Sequence, residues 1–178
     1  MKSFTTPRFW FLTMAVLIAA ISRIFPHIPN FTPIAAMALF GGAQFKDKTS
    51  AFIIPLLAMF ISDCILEYTM GWGFHNTILY VYASFILITC IGMYVKKNIT
   101  IQSVLMGCLA SSMLFFIITN FGVWAASGFQ NGAAGLTTMY VAGIPFFGPT
   151  VAGDLFYNGI LFGSFYLAQK RIPALIKA

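Results

Sequence analysis

Nine of the ten basic residues in this chain sit in four clusters, and the clusters punctuate an otherwise apolar sequence. Lys2 and Arg8 precede the first apolar run. Lys46 and Lys48 fill a short polar break, Lys96 and Lys97 another, and Lys170, Arg171 and Lys177 follow the last run. If every cluster marks one side of a bilayer, only Arg23 falls on the other. This is the positive-inside bias of a polytopic inner-membrane protein with both termini in the cytoplasm. The bacterial cytoplasmic membrane is the compartment this pattern predicts.

A charged fraction of 8% against 60% hydrophobic residues is far below the roughly 25% charge of soluble domains. The 178 residues leave room for one transmembrane domain, 1–178, held by helix packing in lipid. The net charge of +6 does not indicate nucleic acid, because its carriers are spread among the ends of separate apolar segments. Topology and anionic headgroups of the lipid bilayer account for it. The apolar stretch from Phe9 to Ile21 has no clean A-x-A cleavage site before a mature domain, so it reads as a retained first helix rather than a signal peptide. Cys90 and Cys108 read as small buried hydrophobes.

Segments of spanning length predict an all-α, six-helix transmembrane bundle: Phe9 to Phe25, Thr32 to Phe45, Ser50 to Tyr68, Thr77 to Val95, Ile101 to Trp124 and Thr150 to Ala168. The second is short, with Asn30 or Thr32 available as a cap and Pro33 in its first turn. Outer loops then cover 26–31, 69–76 and 125–149. The last of these, long and rich in apolar and aromatic residues, is expected to fold back over the bundle as a lid or re-entrant segment.

The unusual chemistry lies toward the outer side. Asp63 and Glu67 are one turn apart on the third span, and Asp154 and Asn158 share a face of the sixth. Ionisable residues within spans are costly and mark wet cavities or functional sites. Arg23 is the fitting partner for either aspartate, with His75 and Asn120 as further polar partners. The expectation is that Arg23, Asp63, His75, Asn120 and Asp154 converge below the outer loops, on a pocket walled by Trp72, Phe74, Tyr80 and Phe147. His27, His75 and Cys64 are nitrogen and sulfur donors on that side, but their spacing matches no zinc motif. Ala15-x-x-x-Ala19 and Gly159-x-x-x-Gly163 permit close helix approach, within the bundle or against a partner.

The pattern resembles the S components of energy-coupling-factor (ECF) vitamin transporters. These are six-helix membrane proteins that bind substrate from outside and dock a transport module through Ala-x-x-x-Ala on the first helix. More closely, Pro29-Asn30-Phe31-Thr32-Pro33, Ala38-Leu39-Phe40-Gly41-Gly42, Ile61-Ser62-Asp63, Thr119-Asn120-Phe121-Gly122 and Gly143-Ile144-Pro145-Phe146-Phe147 through Gly153-Asp154 are similar to an uncharacterised family of small bacterial membrane proteins classed as transporters. That family in turn resembles the solitary cobalamin-specific S components. The resemblance implies a substrate-binding subunit for a vitamin-like molecule, cobalamin first, with His75 facing its cobalt and Ala15 and Ala19 docking an ATPase module.

No Walker A sequence is present, so energy comes from a partner ATPase or uptake is downhill. No cofactor is implied. An intramembrane enzyme is the alternative. Val151-Ala152-Gly153-Asp154 lacks the first glycine of an intramembrane aspartyl protease GxGD motif, and HExxH and GxSxG are absent. A structural subunit without ligand would leave the outer loops, dense in His, Asn, Trp and Gly, without a role.

Overall fold

The computed structural model describes residues 6–26 and 28–176; Lys2, His27 and Lys177 lie outside them. Six α-helices follow one another: α1 (Pro7–Ser22), α2 (Ile34–Gln44), α3 (Lys48–Met70), α4 (Ile78–Val95), α5 (Ile101–Ala126) and α6 (Gly132–Arg171), with a terminal 3-10 turn at Pro173–Leu175. Helices α3, α4 and α5 are long and apolar enough to cross a membrane, whereas α1 and α2 are apolar but shorter. Asp47 and Thr100 cap α3 and α5 through the N–H groups of Ser50 and Ser103.

Helix α2 is the centre of the structure. It packs against all five other helices, and every residue from Ala35 to Gln44 is buried. Its composition of Ala, Gly, Leu, Met and Phe lets neighbours approach from all sides. At Gly42 a Cβ would overlap the Thr89 carbonyl, and at Gly92 the Leu39 carbonyl, so α2 and α4 touch backbone to backbone. With 11 residues α2 rises only about 16 Å, roughly half the hydrocarbon thickness of a bilayer.

Both ends of α2 are held by other helices. At its C-terminal end Arg8 of α1 donates to the Gln44 carbonyl (3.0 Å) and side chain (3.2 Å) and to the Leu175 carbonyl (3.4 Å). Lys96, which follows α4, donates to the carbonyls of Phe45 (2.5 Å) and Lys46 (2.9 Å). These bonds gather the start of α1, the end of α2, the end of α4 and the chain after α6 at one end of the bundle. The described basic residues other than Arg23 belong to that end.

Helix α6 departs from expectation. The stretch expected as a long outer loop is helical from Gly132 onward and continuous with the sixth span, giving 40 residues with Pro145 and Pro149 inside. It runs back along α5 instead of lying over the bundle: Tyr140 donates to the Ile117 carbonyl (2.8 Å), and Phe147 stacks on Phe116 (5.1 Å). Gly148-Pro149 reads as a stop in sequence, yet the helix continues through it. Thr150 donates its hydroxyl to the Phe146 carbonyl (2.9 Å).

The small-residue motifs differ in their packing. Ala19 is buried and Ala15 half-buried against the core, so this face of α1 packs within the bundle. A Cβ at Gly159 or Gly163 would meet nothing within 4 Å. Cys108 is buried as expected, whereas Cys90 is exposed on the outer surface of α4. Accordingly, Gly42→Ala and Gly92→Ala should each cost about 1–3 kcal/mol or more through overpacking, lowering the melting temperature of the protein in detergent. Gly159→Ala and Gly163→Ala should leave it unchanged or raise it, because alanine is the better helix former.

Candidate functional site

A cavity of about 590 Å³ opens at the end of the bundle opposite the basic clusters, between α1, α3, α4 and α5. Its walls include Phe25, Pro29, Asn30, Thr32, Met59, Trp72, His75, Phe115, Thr119 and Thr150. Two charged side chains, Arg23 and Asp63, line it as well.

Arg23 terminates α1, and Asp63 projects from α3. They form an ion pair of 2.8 Å with side chains only 8% and 2% exposed. The second carboxylate oxygen of Asp63 accepts from the Tyr82 hydroxyl of α4 (2.8 Å). The same Arg23 nitrogen donates to Ser62 Oγ (2.5 Å) and lies 3.1 Å from Met59 Sδ. Two charges taken out of water are tolerable only when paired and hydrogen-bonded. Here one pair, completed by a hydroxyl from a third helix, joins α1, α3 and α4 at the cavity.

The connection between α3 and α4 supplies one wall. Gly71 adopts a left-handed conformation (φ 72°) that stops α3 and turns the chain back. The Glu67 carboxylate accepts from the Phe74 N–H (2.9 Å), so its role is to hold this loop. Gly73 lies flat on α3, where a Cβ would overlap the Asp63 carbonyl. This close approach puts Trp72 and His75 on the cavity. Thr77 Oγ1 and His75 Nδ1 are 2.8 Å apart, which leaves Nε2 as the second ring nitrogen.

Arg23, Asp63, Trp72 and His75 therefore come together, as the sequence leads one to expect. Asn120 lines a smaller adjoining cavity. Phe74, Tyr80 and Phe147 line neither. Phe74 packs on Phe60 outside α3, Tyr80 fills the space over Gly122 and beside Phe121, and Phe147 stacks on Phe116, so all three are packing groups. The walls that sequence reasoning left out are Phe25, Phe115, Thr32 and Thr150. Phe115 and Thr119 sit one turn apart on α5, the signal that both share a face. Cys64 is exposed and off the cavity. Among the described residues no group of three or more His, Cys, Asp or Glu is placed to hold a metal ion.

Asp154 is the principal correction. It does not face the cavity or Arg23. Gly153 presses against the backbone of Phe31 and Thr32, and this contact delivers the Asp154 side chain to the start of α2. There the carboxylate accepts from the Ala36 N–H and from Ser112 Oγ of α5 (2.6 Å). Pro33 provides no side-chain cap for α2, so Asp154 caps it from another helix. A negative charge at a helix N-terminus is also favoured by the macrodipole. Asp63 and Asp154 thus have separate partners on separate helices and form no dyad.

Removing one member of the buried pair should strand the other. Asp63→Asn and Arg23→Gln should each destabilise the protein by about 3–5 kcal/mol. The double variant should lose less than their sum. Thermal or denaturant melts of the four proteins in detergent read this cycle, and strict additivity would show that the pair does not interact.

Neither a curated protein nor a solved structure matches the chain. A sequence family described as a family of unknown function, DUF6580, matches residues 3–175, nearly the whole length, and the chain belongs to it.

Proposed function

We propose that this protein spans the bacterial cytoplasmic membrane six times with both termini inside, and binds a vitamin-like small molecule in the Arg23–Asp63 cavity from the outer side. It would act as the substrate-binding subunit of a transporter, in the manner of an ECF S component. The single observation that carries the reading is the position of the cavity, at the opposite end of the bundle from the basic clusters and with a buried ion pair on its wall. Positive charge on the cytoplasmic side turns that end outward.

A volume of about 590 Å³ lies in the range of roughly 300–1,000 Å³ for sites that enclose a drug-sized ligand. A compact vitamin would be enclosed. Cobalamin, the first candidate by resemblance, would cover the mouth instead, with its cobalt toward His75 Nε2. Trp72, Phe25 and Phe115 offer ring faces, and the ion pair, His75 and the threonines orient polar groups. With no Walker A sequence, energy would come from a partner ATPase module or from the substrate gradient.

Native mass spectrometry of protein purified from its own membrane should show a bound small molecule. His75→Ala should reduce its occupancy, the loss of one hydrogen bond to the ligand corresponding to roughly a tenfold weaker affinity, whereas Cys90→Ser should leave it intact. Topology has its own check. In a background with Cys64, Cys90 and Cys108 replaced, Asn76→Cys should react with a membrane-impermeant maleimide on intact cells and Asn98→Cys should not. The reverse pattern would overturn both the orientation and the outward cavity.

A further inference from the structure

Beside the main cavity, between the outer halves of α5 and α6, lies a side chamber of about 140 Å³. The two spaces share Asn30, Phe115, Thr119 and Thr150 as walls, so the chamber is a branch of the cavity. Its chemistry differs. The main cavity contains an arginine, an aspartate and a histidine, whereas the chamber has no ionisable side chain among its described walls.

The donor and acceptor inventory of the chamber is lopsided. Thr119 gives its only hydroxyl hydrogen to the Phe115 carbonyl (2.7 Å), and Thr150 gives its own to the Phe146 carbonyl (2.9 Å). A carbonyl can only accept, so both hydroxyls present lone pairs and no hydrogen to the chamber. Asn120 donates from Nδ2 to the Phe116 carbonyl (2.8 Å), which settles the orientation of its amide. Its Oδ1 rests on Gly143, where any Cβ would overlap it, so Gly143 makes room for a third acceptor. Two threonine hydroxyls and the Asn120 amide thus line a small volume with their acceptor oxygens, and its other walls are Phe115, Phe116, Val123, Gly143, Phe146 and, at the side of the main cavity, Asn30 and Thr77.

Such a chamber discriminates by charge as well as by hydrogen bonding. A carboxylate or phosphate would meet the lone pairs of Thr119 and Thr150 and no cationic side chain, with only the wall at Asn30 and Thr77 able to donate. An ammonium group would find acceptors but no counter-charge, and burying an unpaired charge is costly. An alcohol supplies the missing hydrogens and remains neutral. We propose that the chamber is a subsite for an uncharged, hydroxyl-bearing arm of the bound molecule, whose ring-containing body lies in the main cavity against Trp72 and Phe115. The assignment rests on the cavity being a ligand site, as argued above, and specifies what one end of that ligand must be.

A matched series with one phenyl body tests it: 4-phenylbutane-1,2-diol, 4-phenylbutyrate and 4-phenylbutylamine, titrated by calorimetry into the protein in nanodiscs, with empty nanodiscs as reference. The diol should bind most tightly. Thr119→Val and Thr150→Val, which keep the shape and remove an acceptor, should each weaken the diol about three- to tenfold. The acid and the amine should lose less than the diol does, and Thr119→Ser should restore the diol. Melting temperatures of the variants show that they are folded, and having one threonine on each helix keeps the test open if either variant is unstable. Equal or tighter binding of the acid or amine, or a diol affinity unchanged in both valine variants, overturns the subsite while leaving the main cavity standing. Failure of all three compounds to bind overturns the subsite together with the cavity as a site for ring compounds.

Discussion

The backbone of α2 has to be satisfied at both ends without water, and much of the structure is arranged around that requirement. A helix of 11 residues with every residue from Ala35 to Gln44 buried cannot leave its terminal N–H and C=O groups to solvent. Three other elements complete it. Asp154 of α6 accepts from the Ala36 N–H at the start, and Arg8 and Lys96 donate to the closing carbonyls at the end. An acceptor stands at the end with orphan N–H groups and cationic donors at the end with orphan carbonyls. Each of these side chains thereby also fixes where its own helix stands against the centre.

The cavity follows from this arrangement. Because α2 is short, Pro26, Pro29, Asn30 and Thr32 in the chain before it reach the cavity and form part of its wall. The space left above α2 is closed on one side by the loop that Glu67 and Gly73 lay against α3. The Arg23–Asp63 pair crosses from α1 to α3 at this level. A hydrophobic pair of the same size could hold the helices as well or better. Retaining charges here suits the ligand site proposed above.

Much of this was legible in the residue pattern. Basic clusters separated the helices, and the outward arginine had an aspartate for a partner, because charge is the one signal a nearly uncharged chain cannot hide. The shortness of α2 was visible from Thr32 to Phe45. Asp154 was misplaced for a physical reason: its partner is a backbone N–H, which every residue except proline carries and no pattern displays. The extent of α6 is not legible because Gly148-Pro149 stops most helices, while here the helix continues through both Pro145 and Pro149. Tyr80, Phe74 and Phe147 read as cavity walls in sequence, since an aromatic side chain near a loop looks the same whether it faces a ligand or a glycine on the next helix.

The length of α2 also bears on voltage. In a bilayer, a water-filled cavity would carry the outside potential down to the α2 N-terminus, so the membrane potential would fall across roughly 16 Å rather than 30 Å. A unit charge moved across that interval exchanges about 2.3 kcal/mol per 100 mV with the field. Arg23 and Asp63 sit on the cavity wall as a pair with no net charge, and so couple weakly to it. The electrical work of moving a bound molecule past α2 would then be set by the molecule's own charge, and would vanish for a neutral one.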